Sequence, residues 1–158
     1  IREALAAANP QDTRNRKALA AGYQNLGATL RETGDSADAL EYNRKALEIY
    51  QSLAGENAGD AEFQRLLARA YNAFGSVQYE SGDFDGAFDN LQKSLEITQS
   101  LAAQNPANEE MRRNLSTLLE EIGYVYISKG EPAAALEQYR KALEIRTRLS
   151  ADFPLNMD

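Results

Sequence analysis

The sequence predicts an all-α fold, a solenoid of antiparallel helix pairs. Three observations lead there: the chain repeats with a period of 48 residues, apolar residues within each unit recur at helical spacing, and capping residues bracket each helical stretch. The period shows as columns of like residues. Ile1, Ile49, Ile97 and Ile145 form one and Leu5, Leu53, Leu101 and Leu149 another. Glycines fall at 27, 75 and 123 and again at 34, 82 and 130. Ala39, Ala87 and Ala135 and the runs beginning at Lys45, Lys93 and Lys141 complete the register.

Taken in order, residues 1–10 align with the end of a unit's second helix, so the chain opens inside an earlier unit. Three units follow, at 11–58, 59–106 and 107–158, in a single array. With no initiator Met, the chain is expected to be a piece of a longer array. Asp12, Asp60 and Asn108 stand where a short polar side chain caps the free N–H groups of a first turn. Leu19, Tyr23, Leu26 and Leu30, then Leu67, Tyr71 and Phe74, then Leu115, Leu119 and Ile122 trace the apolar face of each first helix. That helix runs to Gly34, Gly82 or Gly130, residues able to adopt the left-handed conformation that ends it. Pro132 suits the first position of a helix. The second helix carries Ala39, Leu40, Ala46, Leu47 and Ile49 and their equivalents, and ends at Asn9-Pro10, at Asn105-Pro106 or in the stretch Gly55 to Gly59. Each helix is about 20 residues, roughly 30 Å at 1.5 Å per residue.

These residues carry a resemblance. Tyr23-Gln24-Asn25-Leu26-Gly27, Gly34-Asp35, Ala39-Leu40-Glu41-Tyr42 and Lys45-Ala46-Leu47-Glu48-Ile49 resemble the tetratricopeptide repeat signature, which recurs with substitutions in the other two units. The 48-residue unit departs from the usual 34. In that extension it is similar to tetratricopeptide arrays of bacterial multidomain signalling proteins. The resemblance implies a right-handed α-solenoid.

Mid-helix glycine costs about 1 kcal/mol relative to Ala, so Gly27, Gly75 and Gly123 need a compensating role. The expected one is close approach of the second helix, with the Ala39 and Ala46 columns as the other small surfaces. At the array ends Ile1, Leu5, Leu136, Leu143 and Leu149 are expected to expose apolar surface and to promote self-association. Asn43 in place of an aromatic and Gly86 within a helix are irregularities that a regularised design would remove, which argues against an engineered origin.

Composition narrows the function. A chain without His or Cys cannot assemble a Ser-His-Asp or Cys-His group, a thiolate zinc site or a disulfide. The adjacent pairs Glu109-Glu110 and Glu120-Glu121 diverge around a helix, and Asp83 and Asp85 lack calcium-loop spacing. Asn114-Leu115-Ser116 is a formal glycosylation sequon inside a helix. No enzyme, cofactor or metal site is expected. The 17 basic against 24 acidic residues leave −7, which opposes nucleic acid, and no apolar run is long enough to span a membrane. The missing targeting signals point to the cytoplasm.

The resemblance further implies that first helices line a concave groove. Carried onto this chain, the inward rows are Lys17, Ala21, Gln24, Ala28, Arg31; Arg65, Arg69, Asn72, Ser76, Tyr79; and Arg113, Thr117, Glu120, Tyr124, Ile127. Lys17, Arg65, Arg69 and Arg113 make a cationic end, and Tyr79, Tyr124 and Ile127 an aromatic and apolar one. The carboxylate clamp of some family members is not matched at Gln24, Ala28, Asn72, Ser76, Glu120 and Tyr124. The expected function is a non-catalytic scaffold binding a protein or peptide, acidic near the cationic end, as part of a larger regulatory protein. The alternative is a spacer or self-association segment of a multidomain signalling protein.

Overall fold

In a computed structural model, residues 12–152 are described. They form six helices: α1 Thr13–Thr33, α2 Ser36–Glu56, α3 Ala61–Glu80, α4 Phe84–Gln104, α5 Glu109–Ser128 and α6 Pro132–Asp152. No strand occurs among the described residues. The leading segment with Ile1, Leu5 and Asn9-Pro10, and the closing Pro154, lie outside them.

The local signals act as their chemistry requires. Oδ1 of Asp12 accepts the N–H groups of Arg14 and Asn15 at 2.9 and 3.2 Å, Asp60 accepts that of Glu62 at 2.7 Å, and Asn108 that of Met111 at 3.0 Å. Gly34, Gly82 and Gly130 have φ of 86°, 85° and 77°, the left-handed turn that lets the chain reverse within two or three residues. Asp83 then caps α4 through the N–H of Gly86 at 3.0 Å, and α6 opens on Pro132.

Within each hairpin the mid-helix glycine meets the second helix. A Cβ at Gly27 would overlap the amide of Asn43, and one at Gly123 the ring of Tyr139. At Gly75 it would stand 3.1 Å from Cγ of Leu91 and 3.2 Å from the carbonyl oxygen of Ala87. The partner column is thus Asn43, Leu91 and Tyr139, one turn from Ala39, Ala87 and Ala135, which are wholly buried. Asn43 takes the place of a large side chain by folding back, its Nδ2 donating to the carbonyl of Ala39 at 2.8 Å.

The cores sit at the junctions between units. One cluster joins Ala20, Ala46, Leu47, Tyr50 and Leu53 to Ala70 and the partly buried Phe63, Leu67 and Phe74. The other joins Ala87, Leu91 and Leu95 to Leu118, Leu119, Ile122 and Val125. The second helices α2 and α4 each pack on the first helix of the next unit. First helices also touch one another, α1 on α3 and α3 on α5, while α2, α4 and α6 do not. The row α1, α3, α5 is therefore the inner side of a bend, and the architecture is an α-solenoid.

At the far end Leu136 and Leu143 are exposed, Leu143 at 65%. Leu149 departs from expectation and is buried at 7%. Ala135, Ala142 and Leu149 step by seven along the stripe of α6 that is buried, and Leu136 and Leu143 lie one residue round the helix.

The glycine seam is testable. Alanine at Gly123 gains up to ~1 kcal/mol of helix propensity but drives a methyl into a tyrosine ring, at a cost of about 1–3 kcal/mol. Gly123→Ala is expected to lower Tm in thermal melts, and Gly75→Ala to fall closer to the parent because Leu91 and the carbonyl of Ala87 need to give by only tenths of an ångström.

Candidate interaction surface

The inner wall is stitched across both junctions by polar side chains of neighbouring first helices. Nζ of Lys17 on α1 lies 2.7 Å from a carboxylate oxygen of Glu62 on α3, and Nε of Arg31 lies 3.8 Å from Glu80. Nδ2 of Asn72 donates to the carboxylate of Glu121 on α5, and the hydroxyls of Tyr79 and Ser128 are 3.1 Å apart. Lys17, Arg31, Asn72 and Tyr79, expected to face a ligand, each also reach the next first helix. Their counterparts on α5 have no following helix among the described residues. Nε of Arg113 donates to Glu109 on its own helix at 2.8 Å, Glu120 accepts from Arg146 on α6 at 2.7 Å, and Ile127 is exposed.

The cationic end therefore narrows. Arg65 and Arg69, one turn apart on α3, have no ion-pair partner among the described residues. With Asn72 they border a cleft of about 90 Å³ between α3, α4 and α5, whose other walls include Ser94, Thr98, Leu101, Met111 and Thr117. A second hollow, about 210 Å³, gathers Arg31, Ser76, Tyr79, Glu121 and Tyr124 from all three first helices. Tyr124 is 56% exposed, its ring edge-on to Tyr139 at 5.8 Å, and Tyr79 leans on Phe84 at 5.6 Å. Gln24 is half-buried on α1.

Two features escaped the sequence pattern. The lining carboxylate is Glu121 in place of Glu120, because three of the four stitches, Arg31 to Glu80, Asn72 to Glu121 and Tyr79 to Ser128, join a residue to one 49 positions on, a period plus one. Thr98 lies on a second helix, outside the inward rows of the first helices; its column, with Tyr50 and Arg146, carries the signal. Burial raises the pKa of Glu121, against the lowering by the Asn72 hydrogen bond and the field of Arg31.

Tetratricopeptide repeat models match residues 19–57 and 115–154, and a further tetratricopeptide repeat model matches 68–100. The chain belongs to the tetratricopeptide repeat family. Among solved structures, BtubC (BKLC) from P. vanneervenii superposes with a TM-score of 0.76 at 23% identity over 99% of this chain. This tetratricopeptide array spans 57% of the length of that chain. The N-terminal domain of stress-induced protein-1 (STI-1) from C. elegans follows at a TM-score of 0.56 and 15% identity, covering 86% of this chain and 95% of that one. At such identities the likeness shows the fold alone. No curated protein sequence matches. Membership of the family brings the coarse role, a scaffold for protein–protein contacts, and proteins of this kind are generally non-catalytic. No helix among the described residues is long and apolar enough to cross a membrane.

Glu121 gives a pH test. Its folded-state pKa lies above the ordinary 4.5, so its ionisation opposes folding once the pH rises past 4.5 and up to the folded value. Glu121→Gln is expected to raise Tm at pH 7, with the gain vanishing in melts near pH 4.

Proposed function

We propose that the array binds an extended peptide segment of a protein partner along the inner wall of α1, α3 and α5, within a larger regulatory protein. The single observation that carries this is the pair Arg65 and Arg69. Two cations one turn apart lack carboxylate partners among the described residues of a chain whose net charge is −7. Leaving both unpaired forgoes stabilisation that Lys17, Arg113 and Arg146 each obtain. Guanidinium groups bind carboxylates with paired, charge-assisted hydrogen bonds, so acidic residues of the segment belong at this end. Tyr124 and Ile127 offer apolar area at the other end, where tyrosine is a frequent anchor of binding energy.

A second role is favoured by one observation of its own. Leu136 and Leu143 lie exposed on the outer face of α6, while Leu47 and Leu95, in the column of Leu143, are buried at the junctions. Covering this face with another copy would make the segment a self-association module, on contacts of the kind already used inside the array.

The two are separated by two measurements. Arg65→Glu with Arg69→Glu is expected to abolish binding of an acidic peptide in fluorescence anisotropy while circular dichroism keeps its helical signal; unchanged affinity removes the acidic-ligand reading. Leu143→Glu is expected to abolish concentration-dependent association in sedimentation velocity. A parent chain that stays monomeric at high concentration removes the self-association role.

A further inference from the structure

The two junctions of the array are built from the same columns, and the largest loss of side-chain volume between them falls at one. Between the first and second units, α2 contributes Tyr50, only 1% exposed, packed in one core with Ala20 and Leu53. Between the second and third, the counterparts of those three residues are Ala68, Thr98 and Leu101, and they line the cleft behind Arg65 and Arg69. The cleft is where a tyrosine ring has no counterpart. Of the columns that line it, the exchange of Tyr50 for Thr98 removes the largest side chain, and Phe63 to Met111 and Leu66 to Asn114 change the wall beside it.

What remains there is apolar at depth and cationic at the lip. Ala68, Leu101, Met111 and Leu118 are buried. The two hydroxyls of the floor are committed to the backbone, Ser94 donating to the carbonyl of Ala68 and Thr98 to that of Ser94, each at 2.8 Å. Neither retains a proton for a polar ligand. An apolar cavity of about 150 Å³ takes the six carbons of benzene, so the 90 Å³ here is of the size that the four carbons of a leucine side chain need. Removing such a side chain from water is favourable, and the open mouth beside Arg69 and Thr117 lets it enter from the inner wall. The charge of the chain then selects the flanking residue. The net charge of −7 disfavours an acidic segment overall, and the two guanidinium groups without ion-pair partners attract one here.

We infer that Thr98 opens a recognition pocket that takes one aliphatic side chain of the bound segment, with the carboxylate of an adjacent Asp or Glu held by Arg65 and Arg69. The ligand class is a peptide carrying a leucine-type residue next to an acid. This rests on the groove assignment above and adds the anchor residue to it.

The probe is the labelled peptide acetyl-Ala-Ala-Leu-Glu-Glu-Ala-Ala-amide, titrated with the intact chain in fluorescence anisotropy. Replacing its Leu by Ala, or making Thr98→Tyr in the protein, is expected to raise Kd roughly tenfold or more. The two changes together should do little more than either alone, because both remove one contact. Thr98→Leu, a smaller plug, repeats the test if the tyrosine fails to fit, and thermal melts of both variants report folding. Equal affinity for the Leu and Ala peptides, or full affinity in a folded Thr98→Tyr protein, overturns the pocket. In either case the groove assignment stands if replacing both Glu by Gln still weakens binding. It falls as well if the Glu and Gln peptides bind alike, or if the parent protein binds none of them.

Discussion

Everything in this molecule depends on how closely the two helices of a hairpin can approach. Gly27, Gly75 and Gly123 leave no side chain between the backbones, and Asn43, Leu91 and Tyr139 fill the space from the other side. The pairing holds across three very different partner side chains because the wholly buried Ala39, Ala87 and Ala135 keep the second helix at the same distance one turn earlier. Once that distance is set, side chains at the outer edges of each hairpin are left to form the junction cores, and stability becomes a sum over hairpins and junctions.

The bend follows from the junctions. First helices touch across them and second helices do not, so the polar residues of the inner wall reach one another. Lys17 with Glu62 and Tyr79 with Ser128 are consequences of this shortening. Exposed pairs of this type contribute about 1 kcal/mol or less each, so their value lies in fixing the register between helices more than in holding them together. The same shortening divides the wall into residues that serve the array and residues left over. Arg65, Arg69 and Tyr124 are among those left over, and they are the side chains on which the proposed peptide site rests.

The groove was legible in the sequence only as a list of first-helix positions. Helical spacing fixes which residues share a face, and the resemblance to tetratricopeptide repeats assigned the face with Arg65, Arg69 and Tyr124 to the inner wall. It could not tell a residue facing a ligand from one facing the neighbouring helix, since both lie on the same stripe. Lys17 and Arg113 looked like Arg65 in that list, yet Glu62 and Glu109 neutralise them. The step from Glu120 to Glu121 and the role of Thr98 depend on the offset between adjacent units and on side chains from a different helix of the repeat.

The sequence by itself determined the helices, their caps, the reversal at Gly34, Gly82 and Gly130, and the pairing of helices into hairpins. These are set by contacts between residues near in the chain, where backbone conformation and 3.6-residue periodicity leave few alternatives. Only the tertiary structure decided which charges are paired, where the wall closes and where it opens. Those outcomes depend on groups about one repeat apart, brought together by the accumulated rotation from one hairpin to the next, and no local pattern encodes the ångström-scale offset that separates a stitched residue from a free one.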